Sequence, residues 1–139
     1  MKYQRQHKID EAVPFQFKIL VVEDDASLCE LLEDIFVDVG YAYEIVADVK
    51  EIIPLLNEHQ PHLVLIDYLL PSNNGGDLCL QIKNDDTNAH LPVIIYSAVN
   101  KALLPINEYR CDAFIEKPFD LDVLLQKMDN LLLSSQYTA

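Results

Sequence analysis

Positive charge is scarce in this chain. Ten lysines and arginines stand against 23 aspartates and glutamates in 139 residues, a formal net charge of -13. The basic residues are scattered rather than gathered into a stripe, which argues against direct nucleic-acid binding through phosphates. Cysteine is also sparse: Cys29, Cys79 and Cys111 are odd in number, far apart and without a CxxC pair. They form no zinc signature or disulfide framework and read as small buried hydrophobes. No apolar run approaches the ~20 residues of a membrane span. Met1 to Lys8 is polar where a secretory signal would be hydrophobic. Internal repeats and low-complexity tracts are missing as well. The expectation is a reducing, cytoplasmic setting, no membrane, and one domain, because 139 residues, half of them hydrophobic, suffice for one core and not for two. The acidity serves solubility, a carboxylate-rich metal site or a basic partner surface.

The most informative stretch present is Leu63 to Pro71, LVLIDYLLP, centred on Asp67. Its apolar approach fits a strand buried on both faces. A carboxylate at the end of such a run belongs where the strand leaves the core, and open α/β sheets keep their reactive groups there.

The rest of the chain alternates strand and helix. Lys18 to Asp25, KILVVEDD, starts as a strand and ends in three carboxylates. Helical spacing follows through Leu28, Leu31, Leu32, Ile35, Phe36 and Val39, with Asp25 or a neighbour as cap and Gly40 as stop. Tyr43 to Val46 is a short strand. Val49 to Glu58 is helical in spacing, with Pro54 either in the first turn of a late start or kinking a longer helix. After the strand His62 to Asp67, a loop through Gly75-Gly76 leads to a third short helix around Leu78, Leu80 and Ile82. VIIYS, ending at Ser97, is the fourth strand. Val99 to Arg110 is a weak helix because Pro105 lies inside it. Ala113 to Glu116 delivers Lys117-Pro118-Phe119, and Asp120 caps a last helix through Leu121, Leu124, Leu125, Met128, Leu131 and Leu132. Five strand–helix repeats imply a parallel sheet with right-handed crossovers and helices on both faces. Residues 1–16 are expected to be an N-terminal extension, 17–133 the domain and 134–139 a tail.

In such a sheet the C-terminal strand ends share one edge. Glu23, Asp24 and Asp25, Asp67, Ser97 and Lys117 then converge on one crevice. Clustered carboxylates repel unless a cation holds them, and oxygen-only ligands favour Mg²⁺ or Mn²⁺. A carboxylate nucleophile, a hydroxyl and a lysine beside a metal suit phosphoryl transfer to Asp67. Each residue also has a plainer reading alone: Asp24 or Asp25 as a helix cap, Ser97 in a turn, Lys117 as a solvated charge, Phe114 as core.

Taken together, VVEDD, LIDYLLP with Gly75 eight residues after the aspartate, IIYSA and FIEKPF stand in order and at family spacing. Across roughly Phe17 to Leu133 the chain resembles the receiver domain of two-component response regulators. The resemblance implies a flavodoxin-like fold with strand order 2-1-3-4-5. It implies Asp67 as phosphoacceptor, Asp24 as the direct metal ligand and Glu23 as one acting through water. Leu69 would add its backbone carbonyl to the metal. Ser97 would be the switch hydroxyl, Lys117 the phosphoryl-pairing lysine and Phe114 the aromatic switch. Pro118 would follow a cis peptide bond. The donor would be a sensor histidine kinase or a histidine phosphotransfer protein, with Mg²⁺ (or Mn²⁺) required. The signal would pass to a downstream protein or through a phosphorylation-dependent homodimer.

Departures from the family pattern are Glu23 in place of the commoner aspartate and a slightly short Ser97–Lys117 spacing. With Pro105, that spacing suggests a short or irregular fourth helix. Leu69 and Val99 flank the path of an attacking water and are apolar, so a long-lived phosphoaspartate is expected. The protein is read as a phosphoacceptor with slow autodephosphorylation, not a turnover enzyme. The competing readings are a non-phosphorylated interaction module, the receiver fragment of a longer regulator with an output domain, and a phosphatase or flavodoxin-like redox protein. The last lacks a second acidic phosphatase motif and a Ser/Thr/Gly-rich flavin phosphate loop. His7, His59, His62 and His90 receive no role.

Overall fold

A computed structural model describes residues 16–137, and their side chains as far as Ser134. The expected N-terminal extension lies outside the described residues apart from Gln16, whose Nε2 donates to the Gly40 carbonyl at 2.9 Å.

The elements alternate: β1 Lys18–Val22, α1 Ala26–Val39, β2 Ala42–Val46, α2 Ile53–His59 and β3 Leu63–Asp67. They continue with α3 Gly75–Lys83, β4 Val93–Ser97, α4 Ile106–Tyr109, β5 Ala113–Glu116 and α5 Leu121–Tyr137. The strands form one sheet in the order β2-β1-β3-β4-β5, with every pairing parallel. This is the expected flavodoxin-like arrangement.

Strand parity divides the core in two. Ile19, Val21, Leu63, Leu65, Ile94 and Ile115 face α1 and α5, where they meet Leu32, Phe36, Leu124 and Met128. Leu20, Val22, Val64, Ile66, Val93 and Ile95 face α2, α3 and α4, against Leu56, Leu78, Ile82 and Tyr109. Both faces of the central strands are dry, which is why they read as unbroken apolar runs.

Local chemistry sets the helix bounds. Asp25 Oδ1 accepts the Ser27 and Leu28 N–H groups at 2.9 and 3.3 Å, and Gly40 ends α1 at φ 92°, a backbone shape glycine tolerates. Pro54 sits in the first turn of α2, the late start among the two alternatives. Asn74 caps α3 through the Asp77 N–H. The Asp120 side chain accepts the Asp122 N–H at 2.8 Å at the start of α5, which runs past Leu133 to Tyr137.

The segment after β4 is irregular, as Pro105 suggested. A 3-10 turn spans Lys101–Leu103, and α4 is only four residues long, closed by Arg110 in the left-handed region. Proline has no N–H to carry a helix across position 105. The three cysteines are free; Cys79 is buried and the other two half-buried. Among the described residues no helix is long and apolar enough to cross a membrane.

Candidate functional site

The same parity that builds the core aims the site. Asp67 extends the row Leu63–Leu65, and Glu23 extends the row Ile19–Val21, so both carboxylates leave the sheet on the α1/α5 side. In register, Val22 lies beside Ile66 and Asp67 beside Tyr96, which places Glu23 next to Asp67 just past the β1 end. One oxygen from each of Glu23, Asp24 and Asp67 falls within 4.8 Å of the others. Asp25 does not join this cluster, because its side chain caps α1.

Lys117 arrives from the β5 end. Its Nζ lies 3.3 Å from Asp67 Oδ2 and 3.7 Å from Glu23 Oε1, and 4.9 Å over the Tyr96 ring. The Leu69 N–H donates to Asp67 Oδ1 at 3.3 Å. Glu23 is 1 % exposed and Asp67 6 %. Burial, reinforced by the Glu23 charge, raises the Asp67 carboxyl to about 6; Lys117 and the Leu69 N–H oppose the rise without cancelling it. Three carboxylates around one ammonium leave the cluster short of positive charge, and an oxygen-only donor set of this kind fits a hard divalent cation.

Ser97 is fully buried at the end of β4, with opposite parity to Tyr96, and its Oγ accepts the Val99 N–H at 2.9 Å. Phe114 pairs with Ile95 across β4–β5 and is half-buried in the core on the α4 side. The Lys117–Pro118 bond is cis. Leu69 is 56 % exposed, so its side chain stands at the open edge of the site. The loop after Asp67 closes tightly onto α3: the Gly75 N–H donates to the Tyr68 carbonyl at 2.8 Å. A Cβ at Gly75 would lie 2.8 Å from the Asp67 carbonyl oxygen, so this position must stay glycine for the loop to pass.

Tyr96 is the site residue that sequence reasoning missed. It is fully buried, and its hydroxyl donates to Glu23 Oε1 at 2.6 Å. The available signal was a phenol inside the apolar run VIIYS, since a buried tyrosine usually finds an acceptor. Tyr68 and Tyr109, joined through their hydroxyls at 2.9 Å, were missed for the same reason. His62 has a structural use, its Nδ1 accepting the Lys18 N–H at 3.0 Å.

Residues 19–129 match the response regulator receiver domain. The chain belongs to that family. Among its relatives, the DNA-binding response regulator MtrA of Mycolicibacterium paratuberculosis is 33 % identical over 104 residues, 73 % of this chain and 45 % of MtrA. The chain thus spans about half the length of the curated relatives it matches. Among solved structures, the signal receiver domain of a histidine kinase from Syntrophus aciditrophicus is 30 % identical. That alignment covers 88 % of this chain and 95 % of that one, with a TM-score of 0.81. The receiver domain of a sensor histidine kinase from Pseudomonas aeruginosa PAO1 shares the fold at 22 % identity and a TM-score of 0.73. It covers 85 % of this chain and 98 % of that one, and was solved with a magnesium ion coordinated in its active site cleft.

Proposed function

We propose that this receiver accepts a phosphoryl group on Asp67 from a phosphohistidine, carried by a sensor histidine kinase or a histidine phosphotransfer protein. It then signals through phosphorylation-dependent contact with a downstream protein or a second copy of itself. The observation that carries this reading is the buried Asp67 carboxylate held between an acid pair and Lys117. In the transfer, a bond forms between an Asp67 oxygen and phosphorus while the P–N bond to the donor imidazole breaks, and the imidazole leaves with a proton.

Glu23, Asp24 and Asp67, with the Leu69 carbonyl, would hold Mg²⁺ or Mn²⁺. When bound, the ion offsets negative charge on the phosphoryl oxygens. Lys117 is already within reach of Asp67 and supplies a second positive charge at the same oxygens. Ser97 stands on the neighbouring strand end as a hydroxyl donor. Its parity with Phe114 puts both switch positions on the α4 side, the route by which a change at Asp67 would reach the short α4. The receiver acts as a phosphoacceptor that slowly loses its phosphate rather than as a turnover enzyme, in the cytoplasm and without direct nucleic-acid contact.

Incubation with acetyl phosphate and Mg²⁺, followed by intact-mass measurement, tests this. One phosphate adduct is expected, absent without the metal and absent in Asp67→Asn. An adduct that persists in Asp67→Asn contradicts it.

A further inference from the structure

We propose that Tyr96 is a positioning residue that sets the cation preference of the acidic site, holding Glu23 so that Mg²⁺ or Mn²⁺ is favoured over Ca²⁺. The inference rests on the reading of Glu23, Asp24 and Asp67 as a divalent-cation site.

Glu23 is anchored at both carboxylate oxygens. Oε1 accepts the Tyr96 hydroxyl at 2.6 Å, and Oε2 accepts the Asp25 N–H at 2.9 Å. Tyr96 is itself fixed: it is fully buried, its backbone is paired to Asp67 on one side and Ile115 on the other, and its ring packs against Phe119 at 5.6 Å. A buried tyrosine usually finds an acceptor, and most such hydroxyls do no more than satisfy that need. Here the acceptor is a member of the cation cluster, and the same ring lies beneath Lys117, so one side chain touches both the acid and the base that flank Asp67.

The consequence follows from what the two ions require. Calcium takes 6–8 oxygens in flexible geometry and commonly binds carboxylates through both oxygens, whereas magnesium demands near-octahedral geometry and keeps several waters. A carboxylate tied to a phenol at one oxygen and a backbone N–H at the other must bend or give up one of those hydrogen bonds to turn both oxygens onto one ion. It can still offer a fixed lone pair to a metal-bound water. The tether therefore penalises the larger ion more than the smaller. Outer partners of this type typically change metal affinity by roughly 10–100-fold when removed.

Tyr96→Phe isolates the hydroxyl, because the ring, its contact with Phe119 and its place under Lys117 all remain. Tyr41→Phe is the control: it also deletes a hydroxyl that donates to a carboxylate, that of Asp129 on α5, without touching the acidic cluster. Mg²⁺ and Ca²⁺ are titrated into the full metal-free chain while the backbone amides of Asp25, Asp67 and Leu69 are followed by NMR. In Tyr96→Phe the ratio of the calcium to the magnesium dissociation constant is expected to fall roughly tenfold, and in Tyr41→Phe to stay as in the wild type. A second measurement needs no variant. In wild-type protein labelled at the tyrosine Cζ, saturating Mg²⁺ should leave the Tyr96 signal near its metal-free position, and saturating Ca²⁺ should displace it.

A ratio within about twofold of wild type in Tyr96→Phe overturns the proposal, as does an equal fall in Tyr41→Phe or an equal Tyr96 displacement by both ions. A wild-type protein whose amides show no saturable response to either ion overturns the cation site itself, and this proposal with it.

Discussion

The hydroxyls of Tyr68 and Tyr109 meet at 2.9 Å, and their rings pack at 5.9 Å between centroids. Tyr68 is the residue after Asp67, and Tyr109 is the buried residue of α4. The pair therefore links the chain neighbour of Asp67 to the short helix α4. Tyr109 reaches this place by lying across α3 at Gly76, where an added Cβ would overlap the ring. Gly76→Ala should push Tyr109 off α3 and destabilise the protein by about 1–3 kcal/mol, the usual range for overpacking a dense site. Tyr109→Phe, which loses only the hydroxyl contact, should cost about 1 kcal/mol. Urea denaturation measures both, and a Gly76→Ala protein as stable as wild type would show that this contact does not hold α4.

Asp67 should cost the metal-free fold stability. A carboxyl raised in the folded state to about 6 from its ordinary 3.8 contributes stability that is complete below the unfolded value. That contribution is lost as the pH rises through about 6. At pH 7 in a chelator, Asp67→Asn should therefore be more stable than wild type by about 1–3 kcal/mol. The gap should close as the pH falls towards the unfolded value. Added Mg²⁺ should raise the wild-type midpoint by mass action. A less stable Asp67→Asn at pH 7 would mean that Lys117 outweighs burial and the Glu23 charge.

Loss of phosphate from Asp67 should be slow. Leu69 is exposed two residues past the aspartate, Val99 stands two past Ser97, and neither side chain can orient water. Leu69→Asn should speed loss by about tenfold, less than the 10²–10⁴ of a full general base because an amide positions water without taking its proton. Phosphate release after removal of acetyl phosphate reads this, and equal rates in the two proteins would contradict it.

Much of this was legible in the chain. The apolar runs of β1, β3 and β4 are buried on both faces, so their hydrophobicity alone marked them, and the parallel order followed from the alternation with helices. The meeting of Asp67, Glu23, Asp24 and Lys117 was readable because the C-terminal strand ends of a parallel sheet share one edge. Pro54 left two alternatives open, and the packing of Ile52 and Leu56 resolved them in favour of a late start. Asp25 was counted among the converging carboxylates because position alone cannot tell a ligand from a cap. Tyr96 was hidden by its neighbours: in VIIYS a tyrosine reads as one more core residue, and only the fold shows that its hydroxyl ends on Glu23.

Phosphorylation of Asp67 itself can be read by trapping the modified residue. Borohydride reduces an acyl phosphate to the alcohol, so protein treated with a phosphohistidine donor and Mg²⁺ and then reduced should carry homoserine at position 67 when sequenced by tandem mass spectrometry. Homoserine at Asp24 or Asp25 instead, or a chain left unmodified by a donor that labels another receiver, would contradict the account.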